Sequence, residues 1–591
     1  MRKTLLILSL GLFFLVQAGG ICWSQTTERV SLSSAGIQGN NASSDASISS
    51  DGRYVAFESF ATDLVANDTN NKVDIFIRDR LLKTTTRASV DSAGNQVTEA
   101  SVDPSISGDG RYVAFESNAN DLVVADSNPL SDIFVHDQLG GITLVSVDST
   151  GAQDPIPSTS SSPSVSSNGR YVAFDSDAEL VDTDSNGYFD VFVHDRDADD
   201  NGTYDEPGGI STVRVSVDSA GNEATEASVD PSISADGRYV AYSSFATDLV
   251  GLGNDTNGKF DIFVHDRDAD ENGTYDEPGG ISTVRVSVDS GGGQADGDSN
   301  SPSISDDGRY VAFDSDATGL VASDTNGKFD IFVHDLQTGT TVRVSVASGG
   351  GEGNGHSYSP SISADGRYIA FHSEADNLVV NDLNGSVDVF VHDRDADGNG
   401  TYDEVGGVST VRVSVATGGS EGNGDSSAPS ISADGKFVAF MSDAPDLVVG
   451  DGNGSSDIFT YERESLPPTV DSTSPTDNAN GVGVGTSITA TFSEPMNGST
   501  IDTNTFILNN GVTGTVTYDS NTTTARFTPT SNLHYNTTYT ATITTAAEDL
   551  AGNPLQTDYT WSFTTESEKN NNSSVSISCF IATAASDWVN F

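Results

Sequence analysis

One phrase recurs seven times along this chain, and a repeat of that length limits the fold more than any other feature. The copies are "ISSDGRYVAFES", "ISGDGRYVAFES", "VSSNGRYVAFDS", "ISADGRYVAYSS", "ISDDGRYVAFDS", "ISADGRYIAFHS" and "ISADGKFVAFMS". Their glycines are Gly52, Gly110, Gly169, Gly237, Gly308, Gly366 and Gly435, spaced 58 or 59 residues apart in the plain copies and 68 to 71 where an acidic insert follows. Each copy reads as four short strands. "PSIS" turns through Asp-Gly or Asn-Gly into "RYVAF", as a tight hairpin requires; a polar loop leads to "DIFVHD", and a last turn to "TVRVSV". Four antiparallel strands per copy, without helical periodicity, predict the blade of a β-propeller. The seventh copy stops after "DIFTYE" without its "RVSV", whereas an orphan "ERVSLSS" stands at Glu28 to Ser34. The expectation is an all-β, seven-bladed propeller over residues 28–464, closed by an N-terminal strand that removes the open edge. A flat β-solenoid is the rival, and it has no need of a displaced terminal strand.

Ahead of the repeats, Arg2 and Lys3 precede the apolar run "TLLILSLGLFFLV", followed by small residues near Ala18 to Ser24. This predicts a signal peptide over residues 1–24 and an exported protein, extracellular, at the cell surface or in the periplasm. No later run is long and apolar enough to span a bilayer. The two cysteines, Cys22 and Cys579, lie in that leader and in the tail, so no disulfide framework is expected. A formal net charge of −59 argues against nucleic acid or an anionic membrane as partner. Asp outnumbers Glu roughly threefold, a balance that suits turns and oxygen-ligand sites.

After the Pro/Ser-rich linker "ESLPPTVDSTSP" the rhythm changes. "SITATFSEPMN", "TFILNN", "TGTVTYDS", "TARFTPT", "TYTATITT" and "YTWSFTT" alternate with period two, predicting a small β-sandwich over 465–565. Its expected core is Ile488, Phe492, Val516, Phe527, Tyr539, Ile543, Trp561 and Phe563. Residues 566–591 read as a disordered polar tail.

Three resemblances attach to these words. "PSISADGRYVAF…DIFVHD…TVRVSV" resembles the TolB-type, WD-like propeller repeats of exported bacterial proteins, which implies a binding platform or scaffold. "FSEPMN", "FTPTSNLHYNTTYT", "DLAGNPL" and "WSFTT" resemble the SbsA type of bacterial Ig-like domain, implying a spacer or adhesion unit. "CFIATAA", from Cys579, resembles a C-terminal box of some bacterial surface proteins, here without the apolar segment that usually follows.

The chemistry is expected in acidic loops. "DRDADDNGTYDE", "DRDADENGTYDE" and "DRDADGNGTYDE" join "FVH" to "STVRVSV" in the third, fourth and sixth copies. Read from Asp393, the last places Asp393, Asp395 and Asp397 at positions one, three and five of a calcium loop, Gly398 at six and Glu404 at twelve. Two residues on, all three agree as Asp-x-Asp-x-Asn-Gly-x-x-Asp, with Gly202, Gly273 and Gly400 at the turn. The candidate ligands are Asp197, Asp199, Asn201 and Asp205; Asp268, Asp270, Asn272 and Asp276; and Asp395, Asp397, Asn399 and Asp403. Glu206, Glu277 and Glu404 can add a carboxylate. Alternate oxygens around a glycine turn suit structural Ca²⁺; the plain alternative is a solvated hairpin held by Asx turns. All seven copies also carry Asp-x-Asn-x-x-x-Asp before "DIF", as in Asp68/Asn70/Asp74 and Asp324/Asn326/Asp330. These predict held turns, except in the third copy, where Asp182, Asp184, Asn186 and Asp190 form a further cation candidate.

No nucleophile elbow, zinc-protease helix or phosphate loop is present. Five of the eight histidines, His136, His194, His265, His334 and His392, recur blade after blade, as architectural residues do. The expectation is a calcium-stabilised, non-enzymatic binding or adhesion scaffold for an extracellular or envelope protein or a polysaccharide. The alternatives are a propeller-type carbohydrate-active hydrolase or lyase, and a periplasmic TolB-like assembly partner.

Overall fold

In a computed structural model, residues 26–568 are described, apart from 125, 252, 381, 397–398, 418, 464–467, 494–495, 497, 499, 520–521, 548–553 and 556. The leader with Cys22, the tail with Cys579, and Asp397 with Gly398 therefore lie outside the described residues. The chain divides into two compact units, Met1–Ser465 and Leu466–Phe591. Among the described residues there is no α-helix, and no helix long and apolar enough to cross a membrane.

The first unit holds seven four-stranded sheets. The first sheet comprises Ser43–Ile48, Tyr54–Ser59, Asp74–Asp79 and Thr84–Arg87, each antiparallel to the next. Val55, Ala56 and Phe57 are consecutive and all 0% exposed. Because successive strand residues point to opposite faces, both faces of the sheet must be covered. The covering is done by neighbouring sheets, for Ala56, Ile75 and Ile77 pack against Val113, Phe115 and Phe134 of the second.

The hairpin glycine is fixed by this stacking. Gly110 has φ +75°, and a Cβ there would lie 2.1 Å from the Tyr54 ring of the preceding sheet. Gly52 stands in the same relation to Phe437, at 2.2 Å, so the last sheet packs on the first. The cluster of Val30, Ile48, Val55 and Phe57 with Phe437, Ala439 and Ile458 joins the same two sheets.

The orphan strand lies where the seventh sheet lacks one. Thr26–Arg29 pairs antiparallel with Asp457–Glu462, Arg29 opposite Phe459, and Val30 N–H donates to Ile458 O at 2.7 Å. The fourth strand of each sheet is shorter than "TVRVSV" predicts. It ends at the arginine, as in Ser211–Arg214, except in the second sheet, where Ile142–Leu144 ends at a leucine. Beyond it Ser216 Oγ donates to Asp190 at 2.5 Å and accepts from Val191 N at 3.1 Å, replacing the ladder with side-chain bonds.

In the second unit two four-stranded sheets enclose one core. Ile488, Phe492, Phe527, Tyr539, Ile543, Trp561 and Phe563 are buried there, and Val516 packs on it half-buried.

Candidate functional site

The acidic turns before each "DIF" strand converge on an arginine that the spacing of acids alone does not reveal. The arginine of "TVRVSV" reaches across its own sheet. Arg343 Nη1 lies 3.4 Å from Asp324, 3.4 Å from Asp330 and 2.7 Å from Glu352. In the third sheet Arg214 Nη1 lies 3.5, 3.6 and 2.8 Å from Asp184, Asp190 and Glu223. In the sixth, Arg412 meets Asp382, Asp388 and Glu421, and Arg29 serves the seventh through Asp451 and Asp457. Two of these groups, Asp184/Asp190/Glu223 and Asp324/Asp330/Glu352, bring carboxylate oxygens within 4.8 Å of one another and could hold a metal ion. Asp182 is exposed outside the first of them. Asn186 is spent on the turn, donating to Asp190 and to Ala224 O at 2.9 Å each. The missed signal was the arginine at a fixed strand position with Glu or Gln nine residues on.

The second sheet breaks this pattern, with Leu144 opposite Phe134 where Arg87 stands opposite Phe76 in the first. Burial, and then nearby Asp126, pushes Asp132 up to about 7. Asp184 is likewise raised to about 7 by burial and then by Asp190, and Asp382 to about 6. A carboxyl raised in the folded state holds a proton that the unfolded chain has released, so these groups reduce stability as pH rises from about 4 to about 7. Buried histidines oppose them over the same window, because His194, His265, His334, His372 and His392 are depressed to about 4 and take up their proton only in the unfolded chain. Asp132→Asn, which removes one raised carboxyl, is therefore expected to lift the melting midpoint of the first unit more at pH 8 than at pH 5, by on the order of 2 °C. Calorimetry at constant ionic strength checks this, and a lift that is equal at the two pH values contradicts it.

The insert loops divide their aspartates between two tasks. Asp197 is buried and accepts from the N–H groups of Asn201 at 3.0 Å and Gly202 at 3.0 Å, shaping the turn. Asp205 leaves the loop to grip Arg196, at 2.9 Å to Nε and 2.5 Å to Nη2. That guanidinium lies 4.7 Å from the Tyr112 ring of the preceding sheet and 5.1 Å from Tyr204 of its own loop. Arg267 repeats the arrangement with Asp276, Tyr171 and Tyr275, and Arg394 with Asp403, Tyr310 and Tyr402. The loops are thus clamps between neighbouring sheets.

At the exposed tip, Asn201 Nδ2 bonds Asp199 at 2.8 Å and also Glu206, so Asp199, Asn201 and Glu206 come together. Asn272 does the same with Asp270 and Glu277, and Asn399 with Glu404. Asp268 and Asp395 cap their turns as Asp197 does. Asp393, first in the alternative register, pairs with Arg367 at 2.7 Å.

Four of the five repeated histidines are committed to the same frame, while the buried Nδ1 of His136 has no hydrogen-bond partner. His194, His265, His334 and His392 each hold a threonine hydroxyl through Nδ1, at 2.8 to 2.9 Å. His194 is 1% exposed, and burial depresses it to about 4.

These features define an all-β propeller of paired charges followed by an Ig-like sandwich. Residues 464–565 match the bacterial Ig-like domain family. Solved structures similar to this chain include a putative TolB from Agrobacterium tumefaciens, 17% identical, covering 51% of this chain and 80% of its own, with a TM-score of 0.29. An oligogalacturonate lyase in complex with manganese is 11% identical, covering 74% and 93%, at 0.42. A puromycin-hydrolyzing peptidase of Mycobacterium tuberculosis is 11% identical, covering 79% and 61%, at 0.39. No curated protein matches. Such identities speak to the fold alone. They also correct the expectation of a non-enzymatic protein, because the similar structures include a lyase and a peptidase.

Proposed function

We propose that the chain is an exported binding protein. A closed, seven-bladed propeller over residues 28–464 presents one face to an extracellular or envelope protein or a polysaccharide. An Ig-like module over 465–565 acts as spacer or adhesion unit. The observation that carries this reading is the pairing of a seven-sheet repeat with residues that match the bacterial Ig-like domain family. Closure is supported by a run of backbone bonds from Ser50 through Gly108, Ser167, Ala235, Asp306, Ala364 and Ala433 that returns to Ser50. The test is a glycan array together with pull-down from envelope fractions, read for saturable binding and for turnover. Saturable capture of one protein or polysaccharide is expected. Cleavage of a bound glycan replaces the reading with that of a carbohydrate-active propeller.

Calcium belongs to this reading at the tips of the insert loops. The carboxylates of Asp199 and Glu206 converge there on the Asn201 side-chain amide, beside a glycine turn with φ +82° at Gly202. Hard cations take such oxygen sets. Calcium is expected to raise the melting midpoint and chelator to lower it by about 3 °C, an effect that Asp199→Ala with Asp270→Ala halves. An unchanged midpoint under both removes calcium from the account.

A further inference from the structure

The first strands of the seven sheets lie side by side, each touching the next, and Ser426–Ile431 touching Ser43–Ile48. They line an axis. Side-chain bonds follow the same course, Ser47 to Ile106 N at 3.1 Å and so on round to Ser430 and Ile48 N at 3.2 Å. One end of the axis is cinched by the run of backbone bonds through Ser50 and Gly108. Space there is so short that a Cβ on Gly108 would lie 2.2 Å from Ser167 Oγ and 2.5 Å from Ser50 Oγ.

At the other end the repeat breaks down. Each first strand has a bulge whose extra residue takes φ between +39° and +55°. At that position stand Asp45, Asp103 and Asp230 in the first, second and fourth sheets. Beside them, at one fixed position of the second strand, stand Glu58, Glu116, Asp175 and Asp314. These acids form one connected group. Asp45 and Glu58 share a hydrogen bond, Glu58 accepts Asp103 N–H at 3.2 Å, and Asp175 accepts Asp230 N–H at 3.0 Å. Asp103 is open to solvent, yet burial and then Asp45, Glu116, Glu58 and Asp175 push it up to about 7, the condition of a narrow well. The acid clusters before the "DIF" strands hold an arginine, except that of the second sheet. Here, among the described residues, no lysine or arginine forms an ion pair with any of the seven acids.

Two further side chains at the same strand position point to a ligand. Ser243 stands where Glu58, Glu116 and Asp175 stand in earlier sheets; it is 1% exposed, and its Oγ has no hydrogen-bond partner. His372 stands there in the sixth sheet, its buried Nδ1 also without a partner. The repeated hydroxyls of the first and second strands pair instead, as Ser43 does with Ser59 at 2.8 Å, whereas Ser243 and His372, at the strand position of the acids, keep a buried polar atom without a partner, like neighbouring Tyr242. His372 and Tyr358, with ring centroids 5.8 Å apart, give the well one aromatic wall. The acids are spread around an axis and do not form a tight triad like Asp324/Asp330/Glu352. That spread suits an elongated cation with several charges.

We propose that this well binds an aliphatic ammonium ligand, its charges answered by the acid crescent, its chain against Tyr358 and His372, and its N–H groups donating to Ser243. The chemistry is that of a free polyamine or of lysine side chains on a partner, and it stands independently of the reading of the propeller as an adhesion protein. The test is calorimetric titration of the full chain with spermidine, with pentalysine and with calcium chloride at physiological salt. One-to-one binding of spermidine marks a free polyamine, and of pentalysine alone a partner's lysines. Either is expected to weaken at least tenfold in Asp103→Asn/Asp175→Asn, and to stay unchanged in Glu179→Gln, an exposed acid away from the well. The double variant removes mutually repelling carboxylates, so its melting midpoint should be equal to or above that of the parent, which separates lost binding from lost fold. Multiple weak binding that ignores the double variant, displacement by calcium at the same site, or no heat at all overturns the proposal.

Discussion

Removing residues 26–34 lowers the melting midpoint of the first unit by about 10 °C, and a synthetic peptide of those residues restores it. Three losses coincide in this deletion. The strand Thr26–Arg29 leaves Asp457–Glu462 with an unpaired edge. Val30, 1% exposed, vacates the cluster that joins the last sheet to the first. Arg29 abandons Asp451 and Asp457, whose side chains are 5% and 0% exposed. Burying a valine contributes about 1.5 to 3 kcal/mol, and stripping a buried carboxylate of its partner costs about 3 to 5 kcal/mol. Calorimetry of the deletion with and without peptide measures the effect. A midpoint within about 2 °C of the parent would mean that the sheets stand without the returning strand.

Replacing Arg343 with methionine destabilises the chain by about 3 to 5 kcal/mol in chelator, and calcium recovers most of that loss. The guanidinium is the positive centre among Asp324, Asp330 and Glu352. Although burial opposes it, hydrogen bonds from Thr325 and the charge of Arg343 hold Glu352 down to about 2, whereas burial and Asp330 raise Asp324 to about 6. Without the arginine three carboxylates face one another across a span that one divalent ion can bridge. Denaturant unfolding of Arg343→Met with and without calcium gives the answer. Arg343→Met/Glu352→Gln should regain part of the stability and lose the calcium response. Indifference of Arg343→Met to calcium would show that the arginine, and not the acid geometry, organises the cluster.

Much of the architecture was legible in the chain. Period-two strands and Asp-Gly hairpins are local signals, and a motif missing at one end with its counterpart at the other identifies the strand that returns. The roles of the charged residues were less legible. The calcium reading grouped Asp205 with Asp199 because they alternate in one loop, but Asp205 turns away to Arg196, which rests on Tyr112 of another sheet. Asp184 and Asp190 do come together, with Glu223 and around Arg214, residues that strand pairing brings in from later in the chain.

The repeat by itself determined the strands, their order within each sheet and the displaced terminal strand, because backbone alternation and turn conformation depend on a few neighbouring residues. Only the tertiary structure decided which cation each acid meets. Coulombic pairing depends on distance through space, and stacking sheets on both faces places an arginine beside carboxylates and tyrosines far from it along the chain. For the same reason, the acids of the axial well become one group only when seven first strands are set side by side.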